Sequence, residues 1–490
     1  MNRRGTGVPG LDLVLNGGLE PSAVVVLAGA PGTGKTILAQ QICFANATAE
    51  HKCVYYTTVS EPHSKLVRHL EPFAFFDPEA LGARFEQIHL GDFLQPGRTD
   101  ALESLVAEIA RKTLADEPAI VVLDSSKMLQ QFADEVDLRR ALFDLVGRFS
   151  QTGTVLLLLG EYTPEELGSG IEFSLADGII QLEYEAREPV DRRTLRVTKL
   201  RGGSYLAGSH TFHIDPSGIE VFPRIETLVP ARVNKVSGRL CSSGIPGLDE
   251  LMTGGTRQGD ATLAMGPSGV GKTTFGLRWI AQALELNERC LYVTFQDTPD
   301  HLISTATVFG WDLGAACASG QLTISYVPMG DLDLDVLAAT IRAQVAEHSI
   351  SRIAIDSLAE LVSAAREWER FPAYMRSLSG LIRASGSSLL VTSETAGHEL
   401  ADQSLDGLMF LFDNVIDMRY IEQGSQLGRA INIVKMRTSA HKMTLNSFTI
   451  TDHGIEVGGQ LDEVTGRLGW SALRTPAPAY VAGAVPPGPS

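Results

Sequence analysis

The chain carries a long segment of its own sequence twice. Residues 8–12, Val-Pro-Gly-Leu-Asp, return as Ile-Pro-Gly-Leu-Asp at residues 245–249, which lie 237 positions later (245 − 8 = 237). The segment 29–36 returns as 266–273 at the same spacing. Farther along, the spacing drifts by a few residues, as loop insertions and deletions produce. Because this period far exceeds the roughly 20–50 residues of solenoid repeats, it indicates the tandem duplication of a whole domain.

The repeat divides the 490 residues into two domains and a tail. We predict a first domain over residues 1–228, a second over residues 229–460 and a tail over residues 461–490. The seam falls near the polar stretch 223–235, which two prolines interrupt. Residues 475–490 are rich in Pro, Ala and Gly and carry no charged side chain, a composition typical of a flexible tail.

Both halves contain the phosphate-binding sequence G-x-x-x-x-G-K-T, at Gly29–Thr36 and at Gly266–Thr273. Each lies between a short apolar run and a segment with helical character. The glycines let backbone N–H groups turn towards phosphate oxygens, and the positive N-terminus of the following helix faces the same anion. The residues predicted to hold the nucleotide are Gly32, Thr33, Gly34, Lys35, Thr36, Ser268, Gly269, Val270, Gly271, Lys272, Thr273 and Thr274.

Within these loops, Lys35 and Lys272 are expected to reach the β and γ phosphates. The hydroxyls of Thr36 and Thr273 are expected to ligate Mg²⁺, which prefers oxygen ligands. The sequence therefore predicts two sites for ATP with Mg²⁺, one in each domain.

A phosphate-binding loop also needs an acid for its magnesium ion, and a strand ending in aspartate supplies one in each half. Asp124 follows the apolar run 119–123, and Asp356 follows the run 353–355. Continuous apolar runs of this kind predict strands buried on both faces, as in a parallel sheet covered by helices. We therefore predict an α/β fold in which Asp124 and Asp356 are metal ligands.

In each half, one acid follows the strand that comes after the phosphate-binding loop and its helix. This acid is Glu61 in the first half and Asp297 in the second. Hydrolysis requires a group that accepts a proton from water or positions it. We predict Glu61 and Asp297 as these catalytic bases. Two alternatives remain open: each acid is solvated in a loop, or each caps the following helix.

The chain resembles the KaiC family of double-domain ATPases from the circadian clock over nearly its full length. The resemblance rests on both phosphate-binding loops and on five further motifs. These are Gly-Ile-Pro-Gly-Leu-Asp (244–249), Val-Thr-Phe-x-x-Thr-Pro (293–299), Phe-Gly-Trp-Asp-Leu (309–313), Lys-Leu-Arg-Gly (199–202) and Arg-Ala-Ile-Asn-x-x-Lys-Met-Arg (429–437).

This resemblance implies two tandem RecA-like P-loop NTPase domains and a two-tiered homohexamer that binds ATP between neighbouring subunits. In that arrangement Lys199, Arg201, Lys435 and Arg437 would reach the neighbour's nucleotide and act as catalytic cations. Lys-x-Arg alternation places both cations on one face of a strand, where they can clamp a phosphate. The alternative is a solvated basic edge strand.

Two departures from the family pattern concern its chemistry. Where the family has two adjacent glutamates, this chain has Gln296-Asp297 in the second half and Val59-Ser60, or Ser60-Glu61 with a one-residue gap, in the first. Glutamine cannot accept a proton as a carboxylate does.

The family's autophosphorylated Ser-Thr pair is the second departure, because it corresponds to Met409 and Phe410, which carry no hydroxyl. Ser404 is the one hydroxyl close by upstream. Serine/threonine autokinase activity is therefore implied by the family but not supported at the matched positions.

The charge balance separates the functional hypotheses. With 41 Lys and Arg against 58 Asp and Glu, the net charge is −17, which disfavours a protein that binds along nucleic acid. The leading hypothesis is a signalling ATPase that has itself and other signalling proteins as partners. The alternatives are a RecA-like DNA-handling ATPase and a scaffold that binds nucleotide with little turnover.

The sequence also bears on location. The five cysteines, Cys43, Cys53, Cys241, Cys290 and Cys317, form no C-x-x-C pair, which indicates inert thiols in a reducing compartment. The apolar runs are shorter than the roughly 20 residues of a membrane-spanning helix. The first residues lack the apolar stretch of a secretory signal. We therefore expect a cytoplasmic protein with no membrane partner.

Overall fold

The structure is a computed structural model. It describes residues 3–57, 63–93, 101–132, 134–163, 165–168, 170–186, 191–228, 238–365, 368–395, 408–423, 426–437, 440–461 and 466–468. The chain divides into two compact units, Met1–Val229 with Asp335–Ala339, and Pro230–Leu334 with Thr340–Ser490. Each unit is built on one large sheet.

The first unit contains nine strands in one sheet. In chain order the elements are α1 (Leu11–Val14), β1 (Val24–Gly29), α2 (Lys35–Asn46), β2 (Cys53–Thr57), α3 (His63–Leu70), β3 (Phe85–His89), α4 (Ala101–Asp116), β4 (Ile120–Asp124), α5 (Glu135–Phe149), β5 (Val155–Glu161), α6 (Ile171–Leu175), β6 (Gly178–Glu185), β7 (Arg192–Leu200), β8 (Ser209–Asp215) and β9 (Gly218–Phe222).

The second unit repeats this order with local additions. Its elements are β10 (Leu240–Cys241), α7 (Pro246–Leu251), β11 (Thr256–Arg257), β12 (Ala261–Gly266), α8 (Lys272–Glu285), β13 (Cys290–Thr294), α9 (Pro299–Val308), α10 (Leu313–Ala318), β14 (Leu322–Tyr326), α11 (Leu334–His348), β15 (Arg352–Asp356), α12 (Leu358–Ala364), α13 (Phe371–Ala384), β16 (Ser388–Glu394), β17 (Asn414–Gln423), β18 (Gln426–Met436), β19 (Asn446–Thr451), β20 (Gly454–Gln460) and β21 (Gly466–Leu468).

The two sheets have the same strand order. It is β3-β2-β4-β5-β1-β6-β7-β8-β9 in the first unit and β14-β13-β15-β16-β12-β17-β18-β19-β20 in the second, where β21 pairs with β17. The first six strands of each series run parallel and the rest antiparallel. The predicted α/β class, with two mostly parallel sheets flanked by helices, is confirmed.

Side chains on the two faces of β1 belong to different cores. Val25 belongs to the same buried cluster as Leu38 of α2, and Val24 belongs to a second cluster that contains Leu142 of α5. All six residues of β1 are buried, which explains why the strand is a continuous apolar run rather than an alternating one. Helices therefore cover both faces of the central strands. The carboxyl ends of these strands are left accessible to a ligand.

The flanking helices are amphipathic, as α13 illustrates. Its buried residues recur at helical spacing and are Phe371, Tyr374, Met375, Leu378 and Ile382. None of the helices that the structure describes combines the length and the apolar character needed to cross a membrane.

Candidate functional site

The first phosphate-binding loop connects the carboxyl end of β1 to the N-terminus of α2. Gly32 and Gly34 have φ angles of 77° and 100°, in the left-handed region that favours glycine. Gly34 is the N-cap of α2 and has no side chain to occupy the helix's first N–H groups. These donors are therefore available to an anion.

The second loop has the same geometry between β12 and α8. Gly269 and Gly271 have φ angles of 73° and 116°, and Gly271 is the N-cap of α8. A β carbon on Gly266 would lie 2.2 Å from the carbonyl oxygen of Met418 on the adjacent strand β17. Only glycine permits this close approach of strand and loop.

The loop lysines fold back onto the carbonyl groups of their own loops. Lys35 Nζ donates to the carbonyls of Gly29 at 3.0 Å and Ala30 at 2.8 Å. Lys272 Nζ donates to the carbonyl of Pro267 at 2.9 Å. Burial lowers the pKa of both lysines, and this effect is opposed mainly by Glu161 for Lys35 and by Glu394 for Lys272.

A loop threonine and a strand-end aspartate meet in each domain. Thr36 Oγ1 donates to Asp124 Oδ2 at 3.1 Å, and Tyr55 donates to the same oxygen at 2.6 Å. Burial raises the pKa of Asp124, against the hydrogen bonds from Tyr55 and Thr36. Burial also raises the pKa of Tyr55, so the phenol remains a donor.

The corresponding group in the second domain is Thr273 with Asp356. Thr273 Oγ1 donates to Asp356 Oδ2 at 2.8 Å, and Tyr292 donates to the same atom at 2.9 Å. Thr392 donates to the other carboxylate oxygen. In both domains the peptide bond that follows the aspartate is cis. The hydrogen bonds place the predicted metal ligands of each domain in direct contact, although they come from distant parts of the sequence.

These residues line cavities large enough for a phosphate chain. A cavity of about 430 Å³ in the first domain is lined by Gly32, Gly34, Lys35, Thr36 and Asp124, among others. A neighbouring cavity of about 780 Å³ shares Thr36 and Asp124 with it.

In the second domain, a cavity of about 320 Å³ is lined by the loop residues 268–269 and 271–274 together with Asp356. A loop ammonium, the N–H groups at a helix N-terminus and a Thr–Asp oxygen pair are together a set of groups that fits a nucleotide with Mg²⁺.

Of the two predicted bases, the structure describes one. Asp297 lines the second-domain cavity, and its Oδ1 lies 2.8 Å from His301 Nδ1. The N-cap of α9 is Thr298 rather than Asp297. Glu61 lies outside the described residues.

Several side chains that the motifs did not indicate also line the cavities. Glu161 and Glu394 end β5 and β16, next to the loop strands. Glu360 on α12 and Arg193 on β7 also line these cavities. Glu161 follows the apolar run 155–159 and Gly160, so the reasoning that found Asp124 could have found it. Glu394 follows the polar residues Thr392 and Ser393, which interrupt the apolar run before it. The Ser-x-x-Glu spacing of Ser357 and Glu360 is a local pattern for a helix start, but it does not indicate a cavity residue. No local pattern indicated Arg193.

The four predicted cations lie away from the phosphate-binding loop of their own domain. In the register of the sheet, Lys199 on β7 lies beside Ile179 on β6, and Ile179 lies beside Val26 on β1. Val26 is three residues before Gly29, where the phosphate-binding loop begins. That separation is about 10 Å along the strand. The Arg201 backbone N–H donates to Asp177, which is bonded to Val24, so Arg201 lies roughly 16 Å from the same end.

The second domain repeats this placement. Lys435 pairs with Val415, which pairs with Leu263, three residues before Gly266. The side chains hold local partners instead. Lys199 Nζ donates to the carbonyl of Phe173 at 3.1 Å, and Lys435 Nζ donates to that of Phe412 at 2.6 Å. The structure does not bring these cations to the nucleotide loop of the same domain.

The positions matched to the family's phosphorylated pair lie beside these second-domain cations. Met409 and Phe410 begin a short 3₁₀ helix, Met409–Leu411. Their carbonyls accept from Lys435 at 3.2 Å and from Arg437 at 2.7 Å. Ser404 lies outside the described residues.

Comparison with known proteins agrees with this duplicated architecture. The family model described as "ATPase: KaiC" matches residues 4–226 and, a second time, residues 241–462. The chain belongs to the KaiC family. The expected tandem RecA-like P-loop domains follow from this membership and from the two matching sheets.

Curated members of the KaiC family align with nearly the whole chain. The circadian clock oscillator protein KaiC of Parathermosynechococcus lividus is 26% identical over 93% of this chain and 85% of its own length. The protein of the same name from Prochlorococcus marinus strain SARG is 27% identical, over 92% and 91%. The circadian clock protein KaiC3 of Synechocystis is 25% identical, over 96% and 94%.

Proposed function

We propose that this chain is a KaiC-like signalling ATPase that binds and hydrolyses ATP at two sites per subunit. One observation carries the proposal. In each domain a loop lysine, a helix N-terminus and a Thr–Asp pair meet at the carboxyl edge of the sheet. Binding of a nucleotide phosphate requires this combination of groups. The stability of the fold alone gives no reason for it to occur in both domains.

The chain's own residues account for binding of the phosphates. The first N–H groups of α2 and α8 face the anion, and the ammonium groups of Lys35 and Lys272 turn from their loop carbonyls to the β and γ phosphates. Exchange of a neutral carbonyl for a phosphate strengthens the hydrogen bond, because both partners are then charged.

The Thr–Asp pairs are the proposed metal ligands. Thr36 with Asp124, and Thr273 with Asp356, each offer a hydroxyl and a carboxylate oxygen within one hydrogen bond. Bound Mg²⁺ would neutralise charge on the β and γ oxygens. Tyr55 and Tyr292 donate to the same carboxylate oxygens and help to hold them in place.

For the hydrolytic step we propose Glu61 and Asp297 as the acids that accept the proton of the attacking water. The contact of Asp297 with His301 supports the proposal, since it fixes the carboxylate at the rim of the cavity. Glu161 and Glu394 add negative charge opposite the loop lysines. We assign them no proton transfer.

We propose that the active assembly is a homohexamer with the nucleotide between subunits. Support comes from the cations at 199, 201, 435 and 437, which lie at the far end of their own sheets. Side chains so far from their own loop can contact a nucleotide only if it is bound to another copy of the chain. The local carbonyl partners of Lys199 and Lys435 hold these side chains at the surface until then.

Partners beyond the chain itself are proposed to be signalling proteins that distinguish its nucleotide states. All five cysteines are free, which supports a cytoplasmic location. An autokinase activity would have to use a hydroxyl other than those of the family pair, because Met409 and Phe410 have none.

The test is a comparison of wild type with Lys35→Ala and Lys272→Ala after incubation with γ-labelled ATP and Mg²⁺. We expect free phosphate from wild type, a partial rate from each single variant and none from the double variant. ATP-dependent hexamers without phosphate release would instead support the scaffold, for which Gln296 in place of a carboxylate is the favouring observation. Label retained on the protein and lost in Lys272→Ala would reveal a kinase.

A further inference from the structure

Gln296 and Glu360 form a side-chain pair inside the second-domain cavity. The Gln296 side-chain amide donates to Glu360 Oε1. Gln296 follows the carboxyl end of β13, and Glu360 lies in the first turn of α12. The pair therefore joins the end of a strand to the start of a helix. Both residues line the cavity together with Lys272 and Thr273.

Glu360 is held rigidly. Its side chain is 6% exposed, and its Oε2 accepts from the backbone N–H of Ser357 at 3.2 Å and from the Ser357 hydroxyl at 2.5 Å. Ser357 follows Asp356, the proposed metal ligand. Oε2 is therefore committed to the helix cap, and Oε1 is the oxygen presented to Gln296.

The charge of Glu360 fixes which way the Gln296 amide points. An ionised carboxylate only accepts hydrogen bonds, so Gln296 must present its NH₂ group to Glu360. The carbonyl oxygen lies at the other end of the same planar amide. A glutamine locked in this way offers a fixed acceptor to the cavity rather than an amide that rotates freely.

The first domain has neither partner at the corresponding positions. At the local repeat spacings of 237 and 232 (356 − 124 = 232), Gln296 corresponds to Val59 and Glu360 to Met128. Without a gap both counterparts are apolar, and with the one-residue gap Ser60 rather than Val59 corresponds to Gln296. In either alignment the first half lacks this combination of an amide and a carboxylate, so the pair is a feature of the second site.

We propose that Gln296, oriented by Glu360, positions the water that attacks ATP in the second domain. This inference rests on the proposed ATPase function and identifies how the second site works without a glutamate at position 296. Glutamines orient the attacking water in other P-loop hydrolases. Gln296 is the catalytic residue because it contacts the water, and Glu360 is a positioning residue that acts through it.

The reaction step balances without a further reagent. Gln296 Oε1 accepts a hydrogen bond from the water, whose oxygen forms the new bond to the γ-phosphorus. The bond from phosphorus to the β,γ-bridging oxygen breaks, and its electron pair leaves with ADP. The second proton of the water passes to the Asp297 carboxylate and then to solvent.

The decisive variants exchange the acid and the amide. In Glu360→Gln the helix cap is retained, because glutamine also serves in a capping box. Its NH₂ group would now turn the Gln296 amide around, so that NH₂ rather than the carbonyl faces the water. In the double variant, Gln296→Glu with Glu360→Gln, the amide at position 360 donates to the carboxylate at position 296. The pairing is then reversed, and a carboxylate oxygen again faces the cavity as acceptor.

The measurement is steady-state phosphate release by the full-length chain in a Lys35→Ala background, in which only the second site can turn over. We expect Glu360→Gln to lower the rate on the order of a hundredfold, as small misplacements of reacting groups do, with little change in ATP affinity. The exchanged double variant should regain at least about tenfold. Glu347→Gln, which changes an exposed glutamate on α11, is the matched control and should keep the parent rate.

A pH profile separates orientation from a merely structural role. In Gln296→Glu alone, two carboxylates would share one hydrogen bond, so one pKa should rise and the rate should depend on a group titrating well above the usual range of glutamate. Glu360→Gln at the parent rate, or a double variant no faster than Glu360→Gln, would overturn the inference.

The proposed function can fail separately. Hydrolysis in wild type that disappears in Lys35→Ala would overturn the role of this pair and leave the ATPase standing at the first site. Absence of hydrolysis in wild type would overturn both.

Discussion

Thr36 and Asp124 are 88 residues apart in the sequence, and the Thr36 hydroxyl donates a 3.1 Å hydrogen bond to Asp124 Oδ2. The same contact joins Thr273 and Asp356 at 2.8 Å, across 83 residues. A hydroxyl and a carboxylate that meet in the same way in both halves are the basis for the proposed metal site. Its removal should affect metal-dependent chemistry more than folding.

We therefore expect Asp124→Asn to reduce hydrolysis at the first site on the order of a hundredfold, since it removes the charge that faces the metal. Phosphate release in a Lys272→Ala background is the measurement, with Mg²⁺ varied. The variant should require more Mg²⁺ for half-maximal rate. Asp144→Asn, on the exposed face of α5, is the control. An unchanged Mg²⁺ requirement would argue against Asp124 as a ligand.

The cations at the far ends of the sheets lead to a prediction about assembly. Two variants are compared in a Lys272→Ala background. One carries Lys35→Ala, and the other carries Lys199→Ala with Arg201→Ala. Each should be inactive at the first site when tested by itself. In a mixed ring, an intact loop from one chain can meet intact cations from the other. Random mixing in equal amounts makes about a quarter of the interfaces competent, so activity should appear on mixing.

The control for this experiment is a residue on β7, the strand that carries Lys199. Arg196 is exposed on β7, and Arg196→Ala should leave the first site active without mixing. If the mixed chains stay as inactive as the separate ones, then Lys199 and Arg201 do not act on a neighbour's nucleotide.

Arg193 marks a contact that the motifs did not reveal. Its guanidinium lies over the Tyr184 ring at 4.9 Å, and it lines the first-domain cavity. Among the residues that the structure describes, its buried Nε has no hydrogen-bond partner. A buried donor of this kind is costly without a partner, and its place in the cavity makes a nucleotide the partner to test.

We predict that Arg193→Ala weakens ATP binding at the first site by about tenfold or more, because hydrogen bonds to charged groups contribute about 1.5–3 kcal/mol. Titration with a fluorescent ATP analogue measures the affinity. Arg139→Ala, on the exposed side of α5, should bind as wild type does. Equal affinities for both variants would mean that Arg193 serves the sheet and not the nucleotide.

The sequence predicted those parts of the site that local patterns encode. The glycine-rich loops and the strand-end aspartates Asp124 and Asp356 depend on short segments, and the long apolar runs indicated the strands that carry them. Glu360 could not be found in this way, because its partner Gln296 is 64 residues away and their contact depends on how α12 begins beside β13. Local reasoning also left open whether Asp297 caps a helix; the structure gives that role to Thr298.

The last prediction concerns the cost of Lys35. Its side chain is 7% exposed and its hydrogen bonds go to neutral carbonyls, and burial holds its pKa below the usual value for lysine. The free protein therefore bears the cost of a buried charge that phosphate is expected to offset. Lys35→Met should raise the melting temperature of the nucleotide-free protein and abolish the further rise that ATP produces in wild type.

The pH dependence follows from the direction of the pKa shift. Between the lowered pKa of the folded state and the ordinary value of the unfolded chain, the unfolded chain binds more protons, so wild-type stability rises with pH. The stability gap between Lys35→Met and wild type should be full below the lowered pKa and shrink as the pH rises above it. Calorimetric scans from about pH 7 to about pH 11 bracket the ordinary value. Lys112→Met is the contrast, because Lys112 contacts Glu86 at 2.7 Å and its loss should destabilise the protein. A gap that widened with pH would mean that Lys35 is stabilised by its surroundings rather than held there for an anion.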